Sequence, residues 1–187
     1  MRVLVIYESL YGNTRIIADC IAEGLRERHE VEVVRLGQAT PELVGDSDAI
    51  VVGGPTHVHG MTTSMSRKIG AGAAARPDTG LTVQPGAGGA GLREWLYNIS
   101  PGCGRPAAAF DTRLDDPAVL TGRASTRMVH LLWRRGYQLV TTPASFLVSN
   151  RSALLPGEAA RARVWGFTLA GTLEPASPAK QLTRGYR

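Results

Sequence analysis

Four consecutive apolar residues, Val3-Leu4-Val5-Ile6, stand almost at the start of the chain with no polar residue among them, and a second such run, Ala49-Ile50-Val51-Val52, recurs further on. A strand with one wet face alternates apolar and polar side chains, whereas an unbroken apolar run belongs to a strand covered on both faces, the situation of a parallel sheet between helical layers. Parallel neighbours need long crossover connections, and the stretch after the first run supplies one. From Thr14 the apolar period becomes helical, with Ile17, Ile21 and Leu25 four apart and Ile16 and Cys20 beside them. The alternation then repeats. Val31, Val33 and Leu36 mark a second strand, and Thr40-Pro41-Glu42-Leu43 reads as a capping threonine with proline at the first helical position. The third strand, Ala49 to Val52, stops at Gly53-Gly54-Pro55; a loop from His57 to Gly60 and a helix beginning between Thr62 and Ser66 are expected next. Residues 70–105 are rich in Gly, Ala and Pro and read mostly as loop, with a short amphipathic helix at Leu92, Trp95 and Leu96. Strand four is expected at Ala107 to Phe110, the end of a helix at Met128 to Arg135, and strand five at Gln138 to Val148 with a bend at Pro143. Pro156-Gly157-Glu158 opens a last helix, with Ala160, Val164 and Phe167 on one face. Right-handed crossovers then give a three-layer α/β sandwich, five parallel strands in the order 2-1-3-4-5 with helices on both faces.

A length of 187 residues with 43% hydrophobic content closes one core rather than two. One domain over 1–174 is expected, with Pro175 and Pro178 opening a basic tail, 175–187. The net charge of +5 owes three of its units to Lys180, Arg184 and Arg187 in that tail, so residues 1–174 are nearly balanced. Three cations without interleaved aromatic residues read as a solvated end, and no nucleic-acid partner is expected. No run approaches the ~20 apolar residues of a membrane helix, and Val3 already starts a strand where a leader would need its basic region; a cytoplasmic protein without a membrane partner is expected. Cys20 lies in a helical pattern and Cys103 in a Gly/Pro-rich loop, with no CxxC or metal-ligand spacing, so both read as free thiols. Trp95, Trp133 and Trp165 all fall in helical patterns and read mainly as core.

In a doubly wound sheet ligands bind beyond the carboxyl ends of the strands, near the point where strand order reverses. Strand one is followed by Glu8-Ser9-Leu10-Tyr11-Gly12-Asn13-Thr14. Gly12 permits a backbone conformation in which successive N–H groups point inward, Ser9 and Thr14 place hydroxyls beside them, and the next helix adds its positive N-terminus. Such a loop holds a phosphate monoester without a lysine. The chain has no GxxxxGK[ST], and no GxGxxG follows the first strand. His57 and His59, two apart, have metal-like spacing, but no carboxylate or cysteine lies near them in sequence, so no metal site is expected.

Ser9-Leu10-Tyr11-Gly12-Asn13-Thr14 after an apolar first strand resembles the phosphate loop of flavodoxins, in particular the Ser-x-Tyr-Gly-x-Thr subgroup of flavodiiron proteins and tryptophan-repressor-binding-type quinone reductases. Gly53-Gly54-Pro55-Thr56 resembles the Gly-x-Pro-Thr that opens the second flavin loop of that group, and Leu155-Pro156-Gly157-Glu158 the lead-in to the final helix. The resemblance implies a flavodoxin-like fold over about residues 1–173 and FMN as cofactor. Ser9, Tyr11, Gly12, Asn13 and Thr14 would hold the phosphate, with Leu10 giving a backbone N–H. Pro55, Thr56, His57, Val58, His59 and Gly60 would line the isoalloxazine, and Asp111, Thr112 and Arg113 would contact its pyrimidine side. The sequence departs from short-chain flavodoxins in having His57-Val58 where an aromatic and a glycine are usual, no tyrosine in loop three, and no strongly acidic surface. His57, His59 or Arg113 are the candidates to cover the ring. The implied role is an electron carrier working with a redox partner protein, or an FMN-dependent reductase taking NAD(P)H and a small-molecule acceptor such as a quinone. The alternative is a flavodoxin-like scaffold with weak or no flavin binding, acting as an interaction module. A receiver domain of the response-regulator type is excluded, because Glu8 stands alone after strand one and Gly53-Gly54 fills the place of the required aspartate.

Overall fold

The computed structural model describes residues 1–57, 60–61 and 91–173. The expected helix at 62–66, the loop character of 70–90, Val58, His59 and the tail at 175–187 lie outside the described residues.

Strand β1 (Arg2–Tyr7) leads through the glycine turn to helix α1 (Asn13–Leu25), then β2 (Glu30–Arg35), a 3₁₀ turn (Leu36–Gln38), α2 (Pro41–Gly45) and β3 (Ala49–His57). A two-residue β4 (Gly60–Met61) follows, and after it α3 (Leu92–Asn98), β5 (Pro106–Leu114), α4 (Ala118–Thr121), α5 (Ala124–Arg134), β6 (Gln138–Leu139), β7 (Ala144–Val148) and α6 (Glu158–Leu173). The sheet runs β2-β1-β3-β5-β6, with β7 also on β5 and β4 folded back on β3. β1, β2, β3, β5, β6 and β7 pair in parallel. The expected order 2-1-3-4-5 is therefore present, with the expected strand five divided into β6 and β7. These two pair with successive parts of β5, Pro106–Ala107 and Phe110–Leu114, and the break between them contains Pro143, which has no N–H for a ladder.

The unbroken apolar runs are buried as anticipated. Leu4, Ile6, Ile50, Val52, Ala107 and Ala109 point into the layer that holds α3 and α5. Val3, Val5, Ala49, Val51, Ala108 and Phe110 point into the layer of α1 and α6. In α1, Ile17, Ile21 and Leu25 are fully buried while Ile16 stays on the surface. Thr40 caps α2 by accepting from Leu43 N at 3.2 Å, and Gly136, at φ 79°, ends the chain's turn after α5.

Three expectations are corrected. Strand four continues to Leu114, so Asp111, Thr112 and Arg113 are strand residues, paired with β3 and β7, and not a loop. His57 and Gly60, the expected ends of a loop after strand three, are instead strand residues that pair with each other, as Thr56 does with Met61. In α6 the buried side is Ala162, Gly166, Leu169, Ala170 and Leu173, whereas Val164 and Phe167 are exposed. The small residues win this face because α6 packs directly on α1. A β-carbon on Gly166 would fall on the Ile21 carbonyl, and one on Gly24 would fall on the Arg163 carbonyl. Trp133 is exposed rather than core, and Trp95 and Trp165 are partly buried. Cys20 is half-buried against α6 and Cys103 exposed, both free.

Candidate functional site

Beyond the carboxyl ends of β1, β3, β5 and β7 lies a cavity of about 410 Å³, within the size range of small-molecule and cofactor sites. Its walls are Ser9, Leu10, Tyr11, Asn13 and Thr14 from the first loop, Pro55, Thr56 and His57 from the hairpin, Thr112, Arg113 and Leu114 from β5, and Val148, Asn150 and Ser152 beyond β7. No carboxylate is among them. Of the residues expected from sequence, Ser9, Leu10, Tyr11, Asn13, Thr14, Pro55, Thr56, His57, Thr112 and Arg113 come together in this wall.

The first loop is shaped by Gly12, whose φ of 98° is closed to most side chains. Its N–H donates to Ser9 Oγ at 3.0 Å, leaving the Ser9 hydroxyl hydrogen for another acceptor. Gly12 itself does not line the cavity; it sets the turn. Gly12 also occupies the N-cap of α1 with no side-chain cap, so the first-turn N–H groups of α1 have no intrahelical acceptor. Thr14 is buried and its Oγ1 lies 2.8 Å from Thr112 Oγ1, which joins the first loop to β5. Asn13 has a different partner from the one expected. Its Nδ2 donates to the Ser152 carbonyl at 2.6 Å, tying the β7–α6 connection to the first loop.

The Gly53-Gly54-Pro55-Thr56 motif has packing work of its own. A β-carbon on Gly53 would enter the Phe110 ring, and one on Gly54 would come 2.7 Å from Leu92 Cδ2. Thr56 Oγ1 accepts the Ala124 N–H at 2.9 Å, and Asp111 Oδ2 accepts the Ser125 N–H at 2.7 Å. Two neighbouring strands therefore cap α5, whose own N-cap residue, Arg123, offers no side-chain bond. Asp111 is fully buried and is not among the described residues of the cavity wall; in the extended β5 its carboxylate lies at the positive end of α5. Gly60, buried in the hairpin, is likewise not among the described residues of the cavity wall.

His57 is held below the ordinary histidine range by burial, with Glu8 acting weakly in the other direction, so the imidazole in the wall is neutral at pH 7. Burial raises the Tyr11 phenol. Arg113 Nη1 donates to the carbonyls of Leu114 at 3.1 Å and Asp116 at 2.6 Å, which fixes the guanidinium beside the cavity. Its Nε is buried and makes no hydrogen bond among the described residues. Among the described residues the site thus offers a wall without carboxylates, two hydroxyls beside a helix N-terminus and an incompletely bonded guanidinium, a donor set suited to an anionic, partly apolar ligand.

Sequence reasoning missed Leu114, Val148, Asn150 and Ser152. Leu114 was hidden by ending strand four too early. The other three lie after the last strand, where no glycine-rich or hydroxyl-rich motif marks them; the only signal was their place at a carboxyl strand end.

A flavodoxin-domain family profile matches residues 4–69. A flavodoxin from Aquifex aeolicus (strain VF5) is 40% identical over 68 residues, which cover 35% of this chain and 37% of the relative. The matched stretch thus spans well under half the length of that relative. A flavodoxin from the domain Archaea superposes with a TM-score of 0.65 at 18% identity, covering 92% of this chain and 99% of the other. A flavodoxin, WrbA-like protein from Agrobacterium tumefaciens superposes with a TM-score of 0.60 at 18% identity, covering 92% of this chain and 96% of the other. The chain thus has a flavodoxin-like fold with a cavity at the switch point, and its flavodoxin-domain match, over residues 4–69, carries the first loop and the Gly-Gly-Pro-Thr segment.

Proposed function

We propose that the chain binds FMN in this cavity and works as a redox protein. The observation that supports the reading is the convergence of Ser9, Thr14, Thr112 and Arg113 on one cavity, lined by no carboxylate among the described residues, at the N-terminus of α1. The Ser9 and Thr14 hydroxyls and the free N–H groups of α1 would hold the phosphate, while Tyr11, Pro55, His57 and Leu114 supply the apolar surface a ring system needs. Bound FMN supplies one- and two-electron chemistry at its isoalloxazine ring. The chain's own part is to position that ring, exclude water from its apolar side and present hydrogen-bond donors to its polar edge. No side chain here needs to act as acid or base, so the fold serves equally a carrier that meets a redox partner protein and a reductase that takes NAD(P)H and a small acceptor such as a quinone.

Titration of the purified apoprotein with FMN, with riboflavin as the phosphate-free control, tests the reading. Micromolar or tighter FMN binding with much weaker riboflavin binding supports it, and stepwise photoreduction then separates the roles: accumulation of a one-electron reduced flavin marks a carrier, direct two-electron reduction by NAD(P)H a reductase. Binding of neither sinks it. A second reading, a scaffold with weak or no flavin binding, is favoured by one observation: only Tyr11 and His57 bring rings to the described wall, and β5 brings none.

A further inference from the structure

We propose that Arg93 and Arg127 form a second anion site, outside the cavity, that takes the phosphate groups of a nucleotide. Arg93 lies in the first turn of α3 and Arg127 in that of α5. Both reach Gly60 of the hairpin: a β-carbon there would lie 3.7 Å from Arg127 Nη1 and 3.9 Å from Arg93 Nη2. Gly60 pairs with His57, which lines the cavity, so the two guanidiniums converge next to its rim.

This convergence is unfavourable as it stands. Cations in a first helical turn oppose the helix dipole, and two of them together repel. Among the described residues no acid pairs with either arginine. The ion pairs among the described residues are Arg15–Asp19, Arg161–Glu158 and Arg163–Glu23, none of which includes Arg93 or Arg127. The acids at this end are turned to backbone: Glu8 Oε2 accepts from Leu92 N at 3.0 Å and Glu94 Oε2 from Gly91 N at 3.4 Å. Arg93 Nε is buried and makes no hydrogen bond among the described residues.

A guanidinium pair holding a phosphate by charge-assisted bonds is the arrangement that relieves this repulsion.

The test is isothermal titration of the full chain with inorganic pyrophosphate and with NADPH, repeated for R93Q/R127Q and for Gly60→Asp, with FMN affinity and the thermal midpoint of each variant as controls. The wild type should bind both probes, more weakly as KCl is raised. R93Q/R127Q should lose about tenfold or more for both probes, while its FMN dissociation constant stays within about twofold. Gly60→Asp places a carboxylate between the guanidiniums and should abolish probe binding. Unchanged probe affinity in R93Q/R127Q, or no binding by the wild type, overturns the site. Binding of pyrophosphate but not NADPH overturns the nucleotide assignment. A parallel fall in FMN affinity overturns it too, by giving the pair to the FMN phosphate. The inference stands on the charge geometry and not on FMN binding, so a protein that ignores FMN and binds the probes fails the first reading alone.

Discussion

The Thr14–Thr112 contact gives the site a testable internal logic. The two Oγ1 atoms are 2.8 Å apart and buried, so one hydroxyl donates to the other. A hydroxyl has one hydrogen and accepts through its lone pairs, so the hydroxyl that accepts within the pair keeps its own hydrogen for a third group. Thr14, at the N-terminus of α1, can give that hydrogen to a phosphate only if Thr112 is the internal donor. Thr14→Val would then remove a bond to a charged acceptor, about 1.5–3 kcal/mol, or roughly ten- to hundred-fold in FMN affinity. Thr112→Val leaves the Thr14 donor in place but unoriented, and should cost less than about fivefold. Stability should follow another pattern. Each single substitution strands a buried hydroxyl and costs about 1–3 kcal/mol, whereas Thr14→Val/Thr112→Val replaces both partners by similar shapes and should cost less than the two separate losses together. Urea unfolding of the four apoproteins and FMN titration of the same samples measure both. Equal affinity losses for the two single variants, or additive stability losses, would refute the donor assignment.

Other consequences are direct. Asn13→Ala releases the Ser152 carbonyl, so residues 149–155 should exchange amide hydrogens faster at a global cost of about 1 kcal/mol, read by native-state hydrogen exchange. Arg105 donates from Nη1 to the carbonyls of Val44 and Ser47 and from Nε to that of Gly102, so Arg105→Met should lower unfolding stability by about 2–4 kcal/mol in urea. Burial lowers the His57 pKa below its value of 6.5 in an unfolded chain. Above pH 6.5 both states are then neutral and stability is fully present, and as pH falls from 6.5 through the folded pKa the unfolded state gains the proton first and stability is lost. His57→Gln should flatten that part of the stability–pH curve, measured by denaturant midpoints from pH 7.5 to 5.

What could be read from residues alone followed the strength of the local signal. The double-faced burial of β1 and β3 was written in their unbroken apolar runs, and the first loop in the coincidence of strand end, glycine and hydroxyls. The Gly-Gly-Pro-Thr segment was found for a ligand reason, yet its glycines clear space for Phe110 and Leu92 and its threonine caps α5. Tertiary packing and the cofactor-loop pattern select the same residues there, and sequence cannot separate them. Asp111 shows the converse. Nothing in Phe110-Asp111-Thr112-Arg113 says that the strand continues through a carboxylate; only the N-terminus of α5, distant in sequence, makes that burial tolerable.

Helix α6 is the clearest case of a local pattern overruled. By apolar size, Val164 and Phe167 are the residues to bury, but they are exposed and the side bearing Ala162, Gly166 and Ala170 faces α1. Apolar size measures the gain from transfer out of water, whereas Gly24 and Gly166 together permit a backbone approach that brings Ile17, Ile21, Leu25, Leu169 and Leu173 into one core. The approach is therefore worth more than covering two larger side chains. Gly166→Ala tests this. Its intrinsic helix preference favours alanine by about 1 kcal/mol, so if α6 were set by propensity and exposed faces, the substitution would stabilise. Because the added carbon would fall on the Ile21 carbonyl, a backbone atom that moves only with α1 itself, the expected result is a loss of about 2–4 kcal/mol in urea unfolding. Gly171→Ala, on the same helix with open space at its β-carbon, is the control and should be neutral or stabilising. Stabilisation at both positions would mean that the two helices are not held by close backbone contact, and the account of why α6 buries its small side would fall with it.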